Sequence, residues 1–245
     1  MPVDGGLGVN FKNCAALASL AAIFLITNGC GNPGSTSDPP IPHVDVQNTE
    51  ASLKPGPEQY WVKFETTKGD LIVECNRKWS PNGSDRFYEL AKSGFFDGCK
   101  FFRVVPGLVQ FGINGDPLVQ SRWRDQKIPD DQSARGDKNR QTNARGTITF
   151  AKTQRPNSRT TQVFINTKSN PQLDGMGFTP FGQVIAGMAA VDAFYDGYLE
   201  EPQHSAQRIQ AEGNTYLERA FPKLDEIKKA TLLTAKPTLP KTPAE

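Results

Sequence analysis

The sequence predicts a mainly β chain folded as a closed antiparallel barrel or sandwich. Three observations carry this. Short apolar runs with strand-like alternation recur along the middle of the chain. Only two segments read as helices, both short. The runs are separated by turn chemistry, with 22 glycines and 19 prolines in 245 residues. Hydrophobic residues at 37% suffice for a packed core. At roughly 150 residues per domain, the length fits one domain with appendages or two small domains.

In order, Tyr60–Thr67 and Leu71–Cys75 alternate around Lys68-Gly69-Asp70 and form a β-hairpin. Ser84 is placed to cap a helix from Asp85 to Lys92, closed by Gly94, with Phe87, Leu90 and Ala91 on one face. Phe101–Val105 and Val109–Phe111 are short strands broken by Pro106-Gly107. Residues 116–144 are rich in Arg, Asp and Gln and form a long polar excursion. Thr147–Ala151, Gln162–Ile165 and Phe181–Ile185 are further strands. Met188–Tyr195 is a second short helix, and Ile227–Leu233 a last strand.

Both ends differ in composition from this middle. Cys14–Thr27 is an uncharged apolar run of 14 residues. A membrane span needs about 20 such residues, whereas the core of an export signal needs about 7–15. Lys12 precedes the run and Asn28-Gly29-Cys30 follows it, a small residue before cysteine that resembles a bacterial lipobox. Residues 1–29 are therefore expected to be a lipoprotein-like signal peptide, with Cys30 lipidated. Ordinary cleavage of an export signal and a buried apolar helix are the alternatives. Residues 30–58 hold six of the 19 prolines without apolar periodicity and read as a tether. The folded domain is expected at 59–235, followed by a flexible tail at 236–245. The expected location is the periplasm or cell envelope, with the lipid anchor as the only membrane contact.

The balance of charge and reactive side chains excludes several function classes. A net charge of +2 gives no nucleic-acid footprint. The two histidines, His43 and His204, lie in poor places for a Ser-His-Asp triad. With no Cys-x-x-Cys and no His-Glu-x-x-His, no metal site is expected. Cys75 and Cys99 are either a disulfide or two buried thiols.

Two segments combine aromatic and apolar residues with isolated polar ones: Phe101–Gln110 and Thr161–Asn166. On a strand, Phe101, Arg103 and Val105 share one face, and Phe102 and Val104 the other. Arg103 then needs carbonyl or carboxylate partners, or must snorkel to solvent.

Four collinear blocks contain these segments: Phe-x-Arg-Val-Val-Pro-Gly-x-x-Gln, Gly-Thr-Ile-Thr-Phe-Ala, Pro-Asn-Ser-Arg-Thr-Thr-Gln-Val-Phe-Ile-Asn, and Leu173-Asp174-Gly175 with Phe181-Gly182-Gln-Val-Ile-x-Gly187-Met188. In order and spacing they resemble the cyclophilins, from Trp61 to about Tyr195 and more loosely to Leu233. The resemblance implies an eight-stranded antiparallel barrel with a helix closing each end. It implies peptidyl-prolyl cis-trans isomerisation, proline-containing polypeptides as partners, and no cofactor. By position it assigns Arg103 as the essential arginine, Gln110 as its strand companion and Phe164 as the floor of the proline pocket. It places Ala151, Lys152, Gln162 and Leu173 around the cleft, Val109 in place of a pocket methionine, and Phe102 and Phe178 where relatives carry other cleft residues.

Departures from the family pattern matter. Two residues stand between Gly107 and Gln110 where three are usual, and a one-residue change of register inverts the faces of a strand. Gln172 stands where many relatives have the tryptophan that hydrogen-bonds and packs against cyclosporin. The shortened segment supports an alternative function, a cyclophilin-like envelope module that binds proline peptides without turnover.

Overall fold

The computed structural model describes residues 54–131 and 138–238. The expected signal peptide, Cys30, most of the expected tether and the end of the tail lie outside the described residues.

Eight strands form one antiparallel sheet: β1 (Gln59–Thr66), β2 (Gly69–Asn76), β3 (Arg103–Val105), β4 (Leu108–Phe111), β5 (Thr147–Phe150), β6 (Val163–Asn166), β7 (Pro180–Ala186) and β8 (Ile227–Leu233). Their order is β3-β4-β6-β5-β7-β2-β1-β8. The two ends of the sheet meet just before β3 and β8. Gly98 N donates to Ile227 O at 2.8 Å, Ile227 N to Cys99 O at 2.9 Å, and Phe101 N to Asp225 O at 2.9 Å. This short seam curls the sheet back on itself and leaves little unpaired edge there.

Inside lies an aromatic core. Phe64, Phe87, Phe96, Phe111, Phe150 and Phe181 are all buried. Phe87 and Phe181 approach to 4.7 Å between centroids, and Phe64 meets Phe96 edge-on at 5.7 Å. Helix α1 (Pro81–Lys92) supplies Phe87, Leu90 and Ala91 to this core from one face, as its spacing predicts.

Helix α1 starts earlier than expected. Ser84 lies buried within it, and Ser80 is the cap residue. Pro81 suits the first turn because that turn has no use for its missing N–H. The side chain that satisfies the free N–H groups comes from elsewhere in the chain. The Asp131 carboxylate accepts from Asn82 N and Gly83 N, both at 2.9 Å, and from the Ser80 hydroxyl. Arg159 closes on the same carboxylate at 2.9 Å.

Five further helices are present among the described residues: α2 (Pro117–Trp123), α3 (Gln172–Gly175), α4 (Met188–Asp192), α5 (Glu201–His204) and α6 (Ala206–Ala220). Two capping helices therefore undercount the helical elements. The stretch between α4 and β8, to which the sequence assigned no element, packs Ile209, Tyr216 and Leu217 of α6 with Phe102, Ile113 and Phe221 into a second buried cluster. Gly213 breaks α6 with φ 60° and ψ −146°, and a Cβ there would strike Gly115 O.

Cys75 and Cys99 are separate buried thiols rather than a disulfide. Burial pushes both thiols well above the ordinary thiol range, so neither is a ready nucleophile. The proline-rich stretch is fastened where it meets the domain. Gly56 N donates to Asp85 Oδ1 at 2.9 Å, and Arg77 N to Glu58 O at 2.9 Å.

Candidate active site

Strand pairing builds the site. Arg103 on β3 lies opposite Gln110 on β4, and Gln110 lies opposite Phe164 on β6. Directly opposed residues share a face, so these three form one row across the sheet. Gln162, two residues before Phe164, faces the same way.

The shortened segment leaves this row intact. Pro106 and Gly107 form a two-residue turn, with Val105 opposite Leu108. Proline followed by a glycine at φ 114° is the pairing that a type II turn requires. The missing residue is thus absorbed in the turn. Gly112, at φ 100°, ends β4 where a Cβ would clash with Thr161 O, so the chain passes close to β6 there.

Parity overturns one expectation. Val109 sits opposite Val104 and Ile165 and is buried in the barrel core. It faces away from Gln110, so it is not in the cleft. Leu108, half-buried, is the apolar residue of β4 on the site face. Phe102 is also displaced. It is 1% exposed in the cluster beneath α6, covered by residues the sequence reading left unassigned. Nor do Phe101 and Arg103 share a face. Phe101 joins the core and stacks on Phe194 at 3.9 Å, because its N–H is held in the seam by Asp225.

The polar row is directional. Arginine can only donate, so the Gln110 carbonyl must face it. Arg103 Nη1 donates to Gln110 Oε1 at 3.3 Å, and Gln110 Nε2 donates to Gln162 Oε1 at 3.0 Å. Arg103 Nη2 reaches Glu200 Oε2 at 3.2 Å, while Nε has no partner. The guanidinium is neither snorkelled nor fully engaged: two of its five N–H bonds are held, the Nε N–H is buried, and each terminal nitrogen keeps a second N–H for another acceptor.

The apolar side is formed by Phe164 and Phe178, edge-on at 5.8 Å. Lys152 Nζ lies 5.6 Å from the Phe178 ring centre and 3.7 Å from Asp130. Ala151 N donates to Gln162 O at 2.9 Å, which fixes the adjoining wall. Ala151, Lys152, Gln110 and Gln162 line one small cavity. Leu173 lies half-buried on α3, its carbonyl accepting from Phe178 N at 3.2 Å.

A buried amide network holds α3 and Phe178 in place. Asn143 Nδ2 donates to Asp174 Oδ1 at 2.7 Å and to Phe178 O at 2.8 Å. Asn166 Nδ2 donates to Asn143 Oδ1 at 3.2 Å, and Asn170 Nδ2 to Asn166 Oδ1 at 2.8 Å and Gly107 O at 2.8 Å. Burial alone would raise the Asp174 pKa. The hydrogen bonds from Thr142 and Asn143 outweigh it and bring the carboxyl below its ordinary value.

Sequence reasoning missed Glu200 and Gln203. Both belong to the unassigned stretch before the last strand, whose Ile209, Tyr216 and Leu217 at helical spacing were a readable signal.

Residues 61–213 match the family described as cyclophilin type peptidyl-prolyl cis-trans isomerase/CLD. Peptidyl-prolyl cis-trans isomerase B of Escherichia coli is 30% identical over 138 residues, covering 54% of this chain and 81% of that protein. Peptidyl-prolyl cis-trans isomerase A of Dickeya dadantii is 32% identical over 135 residues, covering 54% and 68%. The crystal structure of a cyclophilin type isomerase from Cryptosporidium parvum superposes with a TM-score of 0.52 at 19% identity, covering 73% of this chain and 99% of that one.

Proposed function

This chain belongs to the cyclophilin-type peptidyl-prolyl cis-trans isomerase family, and we propose that Arg103, Gln110 and Phe164 perform the isomerisation in the cleft described above. It is an isomerase of X-Pro peptide bonds, acting on proline-containing polypeptides. The observation that carries the residue assignment is the cross-strand row of Arg103, Gln110 and Phe164.

The barrier, about 18–20 kcal/mol, is the amide resonance lost on rotation about C–N. No covalent bond breaks, so the reaction needs no nucleophile. As the bond twists, the prolyl nitrogen becomes pyramidal and gains a lone pair. A second N–H on a terminal nitrogen of Arg103 donates to that nitrogen or to the prolyl carbonyl, favouring the twisted state over the planar one. Gln110 and Glu200 fix the plane of the guanidinium. Phe164, with Phe178 and Leu173 beside it, holds the pyrrolidine ring while the acyl side turns. One charge-assisted hydrogen bond supplies about 1.5–3 kcal/mol, so apolar clamping and exclusion of water supply the rest.

A binding module without turnover drew its support from the shortened segment, and the intact Arg103–Gln110 pairing removes that support. A protease-coupled assay on a proline tetrapeptide tests the reading. Acceleration of the slow phase is expected; peptide binding with no acceleration would contradict it.

We further propose that the protein is exported, anchored by lipid on Cys30, and assists folding of exported proteins. Support comes from Cys14–Thr27, the lipobox-like Gly29-Cys30 and the proline-rich stretch after them. Radiolabelled fatty acid is expected to enter the wild type and not Cys30→Ser; an unlabelled, soluble mature form would show simple signal cleavage.

A further inference from the structure

The excursion between α4 and β8 brings a segment of its own to the edge of the cleft. Val104 N donates to Leu199 O at 3.3 Å, tying the excursion to β3. One residue on, Glu200 holds Arg103. Pro202 is buried, which fixes α5 against the domain. Next to it, Gln203 lines a cavity of about 170 Å³ together with Gln110, Lys152, Thr153 and Gln162. Its Oε1 is buried without a hydrogen-bond partner. A buried amide oxygen left unpaired is costly, and a bound group that donates to it recovers that cost. Gln110 and Gln162 belong both to this cavity and to the row that ends on Arg103. A peptide whose proline is held at Phe164 therefore passes beside Gln203.

We propose that Gln203 is a specificity-determining residue: its amide oxygen accepts a hydrogen bond from a donor side chain on a substrate residue next to the proline. The walls of the cavity are mostly polar, so the side chain they accept is one such as Asn, Gln or Ser rather than an aliphatic one of the same size. This rests on the reading of the cleft as the isomerase site.

The test uses proline tetrapeptides that differ only by Asn or Leu beside the proline, on each side in turn. Turnover is followed by the coupled assay and binding by calorimetry. At one of the two positions the wild type should prefer Asn by about tenfold, mainly through KM, the equivalent of about 1.4 kcal/mol for one hydrogen bond. In Gln203→Leu the Asn/Leu ratio should fall to about one, with the thermal midpoint recording whether the fold is kept. Gln203→Glu retains an acceptor, so it should keep the Asn preference and add one for Lys. Equal ratios in wild type and Gln203→Leu, or a preference that Gln203→Glu abolishes, would overturn the proposal. Asn-selective binding without turnover would instead break the isomerase reading while upholding the role of Gln203.

Discussion

At the start of α1, Arg159 is 3% exposed and lies against two carboxylates, with Asp131 at 2.9 Å and Asp130 at 3.4 Å, and it also donates to Pro129 O. On the outer row of β3, Arg103 has a side chain 26% exposed, one amide and one exposed carboxylate as partners, and a second N–H left on each terminal nitrogen. Both are guanidiniums in one barrel, yet the surroundings give them different work. Arg159 neutralises a buried carboxylate that caps a helix, so its value is to the folded state. Arg103 is held in orientation with a donor to spare, so its value is to a bound substrate.

Substitution can break that contrast, and the largest effect is expected at Arg159. Arg159→Ala leaves Asp131 buried without its cation and should cost about 3–5 kcal/mol of stability by chemical denaturation. Turnover per folded molecule should be little altered. A loss below about 1 kcal/mol would place Arg159 among ordinary surface pairs.

The amide network comes next, because it joins the two kinds of region. Asn143 is buried and serves both Asp174 and the Phe178 loop. Asn143→Ala should cost about 1–3 kcal/mol for each group it leaves unpaired and should also raise KM. Lost stability with unchanged KM would show that the network does not position the pocket.

Inhibitor binding sharpens the account of the cleft. Gln172 is exposed and offers little apolar area at the position where the family resemblance implies a tryptophan. Cyclosporin should inhibit at least about tenfold less tightly than in a tryptophan-bearing relative, or about 1.4 kcal/mol, and Gln172→Trp should recover part of the gap. Nanomolar inhibition of the wild type would contradict this.

The smallest effect is expected with acid. The folded-state pKa of Asp174 lies below its unfolded value. Its contribution is therefore complete above the unfolded pKa of about 3.9 and is lost as pH falls through the lower, folded one. Because the group is partly exposed, Asp174→Asn should change acid stability by less than about 1 kcal/mol. An identical acid midpoint in both proteins would remove the carboxylate from the account.

What could be read from sequence follows the range of the interactions. All eight strands were legible because alternation and turn residues are local signals. Arg103, Gln110 and Phe164 were legible through motif blocks, and strand pairing then placed them in one row. Val109 was misplaced because its face depends on how the turn absorbs a missing residue, which spacing alone leaves open. Phe102 was misplaced because α6, more than 100 residues away in the chain, covers it. The α1 cap was missed for the same reason: Asp131 comes from a distant loop.

Arg103→Ala tests the central claim most directly. The claim is that this guanidinium acts on the twisted amide rather than on the fold. Purified variant and wild type would be compared in the protease-coupled assay, with thermal unfolding alongside. The account predicts a drop in kcat/KM of roughly 10- to 200-fold, the rate equivalent of the 1.5–3 kcal/mol of one charge-assisted hydrogen bond, with the unfolding midpoint kept. A variant that retains near-wild-type kcat/KM, or that loses activity only in step with its fold, would contradict it.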